Sequence, residues 1–333
     1  MNNIGVLGTG TWGTALGVLL QQSGHQVTLW SKLPHEIEQL SKVRRHPNLP
    51  GMTLDDSIVL TPVIENAIRD MDIVVFAVPS PFLRATAREA APYLSDGQII
   101  VDVAKGIEAD TLFTMTEIIE DEIKNPRIKT VALSGPTHAE EVALNLPTAI
   151  VSACEDMACA ERVQDVFSSD TLRVYTNEDK RGVELCGAMK NIIALAAGIS
   201  TGLGYGDNAK AAIITRGIVE ITRLGRAMGC HEQTFWGLTG IGDLIVTATS
   251  QHSRNNRCGT WIGQGMKPEE AIEKVGMVVE GVHALPAAMR LGQKYGIEMP
   301  IAEAVNAVVN GHADPKETVL SLMRRDKKAE QTL

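Results

Sequence analysis

The sequence predicts an α/β protein in which an N-terminal domain with a mostly parallel sheet is followed by an all-helical C-terminal domain. In the first half, short β-rich runs alternate with amphipathic segments, and the candidate strands lie at 4–7, 26–30, 58–60, 73–77, 98–102, 130–133 and 149–152. This alternation is typical of parallel sheets with helical crossovers, and apolar runs such as DIVVFAV suit interior strands. From about residue 177, long segments with helical spacing dominate. We therefore predict domains at 1–177 and 178–333.

Composition and charge narrow the classes of function. Hydrophobic residues make up 44% and charged residues 21% of the 333 residues, as in ordinary soluble proteins. The net charge of −9 repels nucleic acid and anionic lipid, so we expect neither nucleic-acid binding nor stable membrane insertion. The chain begins MNN and leads directly into IGVLG, without the basic start of a signal peptide, and we expect no apolar run of about 20 residues. These features predict a cytoplasmic protein.

The cysteines fit a reducing compartment. There are five of them, and none forms a C-x-x-C pair. We expect mostly structural thiols and no metal site. They are Cys154, Cys159, Cys186, Cys230 and Cys258.

The first glycine-rich stretch predicts a dinucleotide site. In GVLGTGTWGTAL, Gly8, Gly10 and Gly13 form a G-x-G-x-x-G pattern between a predicted strand and a predicted helix. The glycines permit a tight turn and a close approach of backbone amides to a pyrophosphate, and the helix N-terminus adds a positive dipole. An ordinary glycine turn is the simpler interpretation, but this position at the start of an alternating domain favours the dinucleotide.

The end of the second predicted strand bears on which dinucleotide binds. Sites specific for NAD place Asp or Glu there, whereas this chain reads TLWSK, with Ser31 and Lys32. An ammonium and a hydroxyl accept a 2′-phosphate that a carboxylate would repel. The sequence therefore favours NADP(H), with NAD(H) as the other candidate.

Other polar residues follow predicted strands, where ligands bind in open parallel sheets. Lys105 follows QIIVDVA, and Gly135 and Thr137 follow VALS just before the helix-like AEEVAL. A backbone amide group at a helix start suits an anion. An ordinary loop lysine is the simpler interpretation of Lys105, but its predicted position beside the cofactor favours function.

Two features of the second half are of interest: a group of donors that suits a bound anion, and a lysine that could transfer a proton. In TGIGDLIVTATSQHSRNNRCG, Asp243 is followed by the donors Ser253, Arg254 and Asn255, which suit a phosphate, although Ser253 could simply cap a helix. In VELCGAMKNIIALAAGI, Lys190 interrupts an apolar helical run in which no neighbour three or four residues away is a carboxylate. If that face is buried, its partner comes from elsewhere in the chain. The simpler interpretation is a lysine whose ammonium reaches solvent.

Taken together, these stretches resemble bacterial NAD(P)-dependent sn-glycerol-3-phosphate dehydrogenase. The matching segments are GTGTWGTAL, VDVAKGIE, SGPTHAEEV, LPTAIV, VELCGAMKNIIALAAGISTGLGYGDNAKAAIITRG, GLTGIGDLIVTATSQHSRNNRCG and VVEGVHAL, in family order. The resemblance implies a Rossmann-type domain before a helical substrate domain. It also implies reversible hydride transfer between NAD(P)H and dihydroxyacetone phosphate, a phosphorylated triose, giving sn-glycerol 3-phosphate for phospholipid synthesis. A homodimer is a further expectation at the level of the family.

The resemblance also assigns roles to residues. Lys190 would handle the proton at the substrate oxygen, with Lys105 and Asp243 in the same polar cluster. The expected substrate contacts are Lys105, Gly135, Thr137, Lys190, Asp243, Ser253, Arg254 and Asn255. The expected cofactor positions are Gly8, Gly10, Thr11, Trp12, Gly13, Lys32, Lys105, Ala139, Arg254, Val279 and Glu280. The chain departs from the family at Thr137 and Lys32, which keep a hydroxyl and a donor, and at Asn256, which replaces a more frequent Arg.

Three alternatives remain open from the residues alone. A hydroxy-acid dehydrogenase would use the same donors for a carboxylate. Oxidation through a cysteine thiohemiacetal would need an activated thiol, for which Cys258 is the candidate. A dinucleotide-sensing regulator would bind NADPH without turnover, although it would have no need of a proton donor such as Lys190.

Overall fold

A computed structural model describes residues 1–327 and 329–330 of the chain. Contacts group the chain into two compact units. The sheet unit comprises Met1–Lys105 and Phe113–Lys180, and the helical unit comprises Gly106–Leu112 and Arg181–Leu333, whose last three residues lie outside the described ones. The predicted boundary at 177 placed residues 106–112 in the first domain, whereas the structure groups them with the helical unit. The reason is that Ile107 is buried in the hydrophobic core of the helical unit. A segment this short carries no periodic signal in the sequence.

The sheet unit is built on eight strands in the order β3-β2-β1-β4-β5-β6-β7-β8. All neighbouring strands are parallel except β6 and β7, which are antiparallel. The strands are β1 (Asn3–Leu7), β2 (Gln26–Trp30), β3 (Val59–Thr61), β4 (Ile73–Phe76), β5 (Ile99–Asp102), β6 (Lys129–Ser134), β7 (Thr148–Ala153) and β8 (Leu172–Asn177). The order reverses between β1 and β4, which is the switch point where dinucleotides bind in Rossmann-type folds. The predicted fold class is confirmed.

Helices cover both faces of this sheet. They are α1 (Thr11–Gln22), α2 (Pro34–Val43), α3 (Ser80–Ala90), α4 (Met115–Ile123), α5 (Ala139–Ala143) and α6 (Met157–Phe167). One hydrophobic core contains Leu16 of α1 and Val163 of α6, and a second, separate core contains Leu83 of α3 and Ile118 of α4. Burial on both faces explains why β4, with the sequence IVVF, is apolar throughout.

The sequence did not predict β8. This strand pairs only with β7 at the edge of the sheet, and its residues LRVYTN alternate between buried and exposed at their start. A half-exposed edge strand needs polar side chains on one face, so it lacks the continuous apolar run that marks the interior strands.

The helical unit consists of helices of very different lengths. They are α7 (Lys180–Gly202), whose first residue belongs to the sheet unit, α8 (Asp207–Ala227), α9 (Glu232–Trp236), α10 (Asp243–Thr249), α11 (Arg254–Gly263), α12 (Pro268–Val275), α13 (Glu280–Tyr295), α14 (Pro300–Val309) and α15 (Pro315–Met323). A single π-helical turn at Leu238–Gly242 runs directly into α10. The hydrophobic core of the unit takes residues from most of these helices.

Helix α7 corrects the expectation that the chain contains no apolar run of about 20 residues. It has 23 residues and is long and apolar enough to cross a membrane by length and composition alone. However, 94% of its most apolar window is buried inside the protein, as in the core helix of a folded domain. The interruption by Lys190 hid this length in the sequence, because the charge divides the apolar residues into two shorter runs.

Candidate active site

The glycine loop lies between β1 and α1, as its pattern predicts. Gly8 has a positive φ of 126°, and a Cβ there would lie 2.6 Å from the carbonyl oxygen of Ala77. A Cβ on Gly13 would lie 2.1 Å from the carbonyl oxygen of Gly8, so both positions require glycine. Gly10 precedes α1, and a Cβ on this residue would meet no atom within 4 Å, which leaves open space on that side of the loop.

The start of α1 suits a bound pyrophosphate. Its N-cap, Gly10, offers no side-chain hydrogen bond to the helix, and the first turn, which contains Thr11 and Trp12, holds no acidic residue. The backbone N–H groups of that turn therefore lack a side-chain cap, and the helix dipole favours an anion there. The residues present fit a dinucleotide phosphate.

A carboxylate that the sequence prediction missed lies beside the end of β2. Glu36, in the first turn of α2, accepts a hydrogen bond from Ser31 Oγ at 2.5 Å and one from Thr9 Oγ1 at 2.9 Å. Lys32 is mostly exposed, and its Nζ lies 2.7 Å from Glu89 Oε2. The sequence prediction considered only the residues immediately after the strand, whereas Glu36 reaches this position from the following helix.

The polar residues after β5 and β6 contact one another. Lys105 Nζ donates to the carbonyl oxygen of Gly135 at 3.1 Å, and Thr137 Oγ1 donates to the same oxygen at 3.1 Å. Ala139 begins α5 a few residues later and is buried. The structure thus brings Lys105, Gly135 and Thr137 to one edge of the sheet unit, as expected for strand ends of a parallel sheet.

The helical unit holds a buried ion pair. Lys190 Nζ, on α7, lies 2.7 Å from Asp243 Oδ1 and 2.5 Å from Thr247 Oγ1, both on α10. The side chains of Lys190 and Asp243 are 6% and 1% exposed, so the pair is withdrawn from water. The partner of the lysine comes from elsewhere in the chain, as the absence of a neighbouring carboxylate on α7 indicated.

The π-helical turn fixes where Asp243 begins its helix. A Cβ on Gly240 would lie 2.0 Å from the carbonyl oxygen of Phe235, so only glycine allows the turn to pack this closely. Asp243 is the first residue of α10, and Thr247 one turn later donates to the backbone carbonyl oxygen of Asp243 at 2.6 Å. Thr247 therefore connects the backbone and the side chains of the ion pair. Local π-helical turns occur often at functional sites.

The predicted phosphate donors begin α11, and the side chains of Ser253 and Asn255 have structural partners. Ser253 is the N-cap, and its Oγ accepts from the backbone N–H of Asn256. Asn255 Nδ2 donates to Asn191 Oδ1 at 3.0 Å, and Asn255 Oδ1 accepts from the backbone N–H of Gly281 at 2.8 Å. Arg254 is the first residue of the helix and is partly exposed.

These hydrogen bonds place the start of α13 beside the start of α11. Val279 is the buried N-cap of α13, and Glu280 is its first residue. A Cβ on Gly281 would lie 2.6 Å from the carbonyl oxygen of Asn191, which explains the glycine. Asn191, adjacent to Lys190, is the residue that sequence reasoning missed here, because an asparagine in a helix carries no distinct signal of its own.

Comparisons with known proteins identify the family. Residues 3–160 match the N-terminal family model of NAD-dependent glycerol-3-phosphate dehydrogenase, and residues 179–320 match the C-terminal model. The chain belongs to this family. The predicted recognition and the predicted class of enzyme, an NAD(P)-dependent oxidoreductase, are therefore confirmed.

Similar proteins and structures span several organisms. A glycerol-3-phosphate dehydrogenase [NAD(P)+] of Lactobacillus delbrueckii subsp. bulgaricus is 60% identical, with 100% of each chain covered. The corresponding protein of Bacillus subtilis is 47% identical over 98% of this chain and 95% of its own. The crystal structure of glycerol-3-phosphate dehydrogenase from Coxiella burnetii has a TM-score of 0.93 at 33% identity, covering 97% of this chain and 99% of that one.

Proposed function

We propose that the protein reduces dihydroxyacetone phosphate to sn-glycerol 3-phosphate with NAD(P)H, reversibly, and that Lys190 holds and transfers the proton at the substrate oxygen. The observation that carries this proposal is the buried Lys190–Asp243 pair in a member of this dehydrogenase family. A bound nicotinamide would supply the hydride for the substrate carbonyl carbon. A non-catalytic sensor, the alternative interpretation, would have no need of the proton donor that this buried pair provides.

The proton chemistry follows from the surroundings of Lys190. During reduction, negative charge develops on the substrate oxygen, and an ammonium aimed at that oxygen stabilises the charge and donates a proton. Asp243 and Thr247 hold the ammonium by hydrogen bonds of 2.7 Å and 2.5 Å, which fixes its position. During oxidation, the neutral amine would accept the hydroxyl proton. We assign Lys105, held by the carbonyl oxygen of Gly135, as a second cation that acts on the substrate.

In the proposed substrate site, some residues contact the substrate and others hold these contacts in position. Arg254 is the proposed guanidinium partner of the substrate phosphate. Because the side chains of Ser253 and Asn255 are already engaged by Asn256, Asn191 and Gly281, we propose that they position the start of α11 and contribute backbone groups. Gly135 and Thr137 complete the proposed substrate set in the sheet unit. A phosphate held in this way orients the carbonyl for hydride transfer.

The cofactor is proposed to be NADP(H) in preference to NAD(H). Gly8, Gly10 and Gly13, with Thr11 and Trp12, would hold the pyrophosphate, and Lys32 would attract the 2′-phosphate. The exposed Lys32 can exchange Glu89 for a phosphate at little cost, because surface ion pairs contribute about 0–1 kcal/mol. Glu36 opposes this preference, so we expect measurable use of NADH. Ala139, Arg254, Val279 and Glu280 are the remaining proposed cofactor contacts.

The cellular setting is proposed from the family resemblance. We propose a cytoplasmic enzyme that supplies sn-glycerol 3-phosphate for glycerophospholipid synthesis, and we propose a homodimer. Light scattering of the purified chain would measure the mass. A mass of about one chain at micromolar concentration would contradict the dimer.

The deciding experiment follows NADPH oxidation with dihydroxyacetone phosphate, unphosphorylated dihydroxyacetone and a 2-keto acid as separate substrates. We expect turnover that requires the phosphate. Lys190→Met should lower kcat on the order of 10²–10⁴-fold, because it removes the proton donor, while NADPH affinity stays near that of the wild type. Preferred reduction of the keto acid, or full activity of Lys190→Met, would contradict the proposal.

A further inference from the structure

The sheet unit contains two thiols that contact each other outside the proposed active site. Cys154 directly follows β7, and Cys159 lies in the first turn of α6. Both are free thiols, and both are mostly buried, at 3% and 7% exposure. Both side chains belong to the same hydrophobic core, and the thiol of Cys159 donates a hydrogen bond to the sulfur of Cys154. The short connection between β7 and α6 brings them together.

The surroundings of Cys154 favour its thiolate. The hydrogen bond from Cys159 lowers the pKa of Cys154 most, and the backbone N–H of Asp156 and the ammonium of Lys180 lower it further. Burial and the Glu155 carboxylate act in the opposite direction, and the resulting pKa of Cys154 is about 7. The pKa of Cys159 is raised, because its proton is held by Cys154 and because the thiol is buried.

The two thiols therefore have different chemistry. One is a nucleophile that is substantially ionised near neutral pH, and the other is a protonated thiol in contact with it. A low-pKa cysteine beside a second cysteine is the arrangement found at thiols that respond to oxidants. Cys258 provides a contrast within the same chain, because burial alone raises its pKa to about 11.

A cavity gives small molecules a route to Cys154, the more nucleophilic of the two thiols. Its volume is about 410 Å³, and Cys154 contributes to its wall together with Lys180 and Thr130. Lys180 Nζ is held there by Glu120 at 2.8 Å, Thr130 at 3.0 Å and Glu155 at 3.2 Å. The low exposure of Cys154 therefore does not seal it from a reagent as small as a peroxide.

We propose that Cys154 and Cys159 form a redox-active pair that a hydroperoxide converts into an intramolecular disulfide. The Cys154 thiolate attacks one peroxide oxygen, the O–O bond breaks, and the leaving oxygen departs as an alcohol or as water after it gains a proton. The sulfenic acid formed on Cys154 is then attacked by the sulfur of Cys159, which forms the S–S bond and releases water. Two thiols are oxidised by two electrons in total, and one peroxide is reduced.

The first test measures all five thiols of the unmodified full-length protein. The reduced protein is treated with limiting iodoacetamide at pH 7, and the labelled peptides are quantified by mass spectrometry. We expect Cys154 to react on the order of 100-fold faster than Cys258, since its larger thiolate fraction outweighs the lower nucleophilicity of a less basic thiolate. Equal rates at the two positions would overturn the proposal.

The second test supplies the oxidant. With equimolar hydrogen peroxide, peptide mapping without reductant should yield a Cys154–Cys159 disulfide that dithiothreitol reverses. Cys159→Ser should leave a sulfenic acid on Cys154, which dimedone traps, and Cys154→Ser should abolish both products. Cys230→Ser, at a buried cysteine of the helical unit, is the matched control and should form the disulfide as the wild type does. Wild-type protein that forms no such disulfide would refute the pairing without recourse to any variant.

Discussion

The sheet unit and the helical unit build their proposed halves of the catalytic machinery from different parts of the chain. The glycine loop is six consecutive positions whose function depends on backbone shape, because Gly8 and Gly13 leave no room for a Cβ. The Lys190 cluster consists of side chains, and its two charged members are 53 residues apart. A backbone site tolerates changes that leave the turn intact, whereas a buried ion pair tolerates almost none. Substitutions in the two units should therefore affect different kinetic parameters.

After Lys190→Met, the largest expected effect comes from Asp243→Asn. Removing one member of a buried pair leaves the other charge uncompensated, which typically costs about 3–5 kcal/mol, and it also releases the ammonium of Lys190 from its proposed position. We expect kcat to fall on the order of 10²–10³-fold with little change in NADPH affinity, measured by steady-state kinetics and by fluorescence titration. Thr247→Val is the control that keeps both charges, and we expect it to lower kcat less than Asp243→Asn does. A larger loss for Thr247→Val than for Asp243→Asn would contradict the assigned importance of the carboxylate.

A second buried carboxylate tests whether burial alone makes a residue catalytic. Glu220 accepts from the backbone N–H groups of Ile301 and Ala302 at the start of α14, at 2.8 Å and 3.4 Å. Desolvation raises the pKa of Glu220 to about 7, against the lowering effect of these hydrogen bonds and of Arg223. The stabilising contribution of its proton is fully present below about pH 4.5 and is lost as pH rises through about 7.

Glu220→Gln should therefore change the pH dependence of stability and leave the chemistry intact. The wild type should lose about 2 kcal/mol of unfolding free energy between pH 5.5 and 7.5 through this group, and the variant should lack that loss. Urea denaturation at the two pH values measures the difference. A fall in kcat comparable with that of Asp243→Asn would remove the distinction between a structural and a catalytic carboxylate.

In the sheet unit, Gly10→Ala and Gly13→Ala distinguish an effect on cofactor affinity from an effect on the stability of the fold. A Cβ at Gly10 meets no atom within 4 Å, so the variant should fold as the wild type does and still obstruct the pyrophosphate, with about a tenfold weaker NADPH affinity. A Cβ at Gly13 collides with the carbonyl oxygen of Gly8, so this variant should lose stability as well, by about 1–3 kcal/mol. Thermal unfolding and NADPH titration measure the two effects. Unchanged affinity in Gly10→Ala would exclude the proposed phosphate position.

The same contrast explains what could be predicted from the sequence. The glycine loop was predicted because its residues are contiguous and their spacing reflects a single turn. The apolar surroundings of Lys190 predicted that, if its face of the helix were buried, its partner would come from elsewhere in the chain. Only the three-dimensional structure showed the burial and identified Thr247 as a second partner. Thr247 lies one helical turn after Asp243, so helical spacing was the signal that could have found it. Asn191 offered no such signal, because its role depends on contacts with Asn255 on another helix.

The smallest expected effect concerns the choice between the two dinucleotides, where opposite charges lie in the same part of the sheet unit. Lys32 should favour the 2′-phosphate of NADPH, and Glu36, which accepts from Ser31 and Thr9, should disfavour it. We expect Lys32→Ala to lower the ratio of kcat/KM for NADPH to that for NADH a few-fold, and Glu36→Gln to raise it by a similar factor, since each removes one partly exposed charge. Glu89→Gln is the matched control, because it frees Lys32 from its surface partner and should raise the ratio only slightly. If Glu36→Gln lowered the ratio instead, the carboxylate would serve mainly to hold Ser31 and Thr9 in place for the phosphate, and cofactor choice would depend on the shape of this loop more than on its charge.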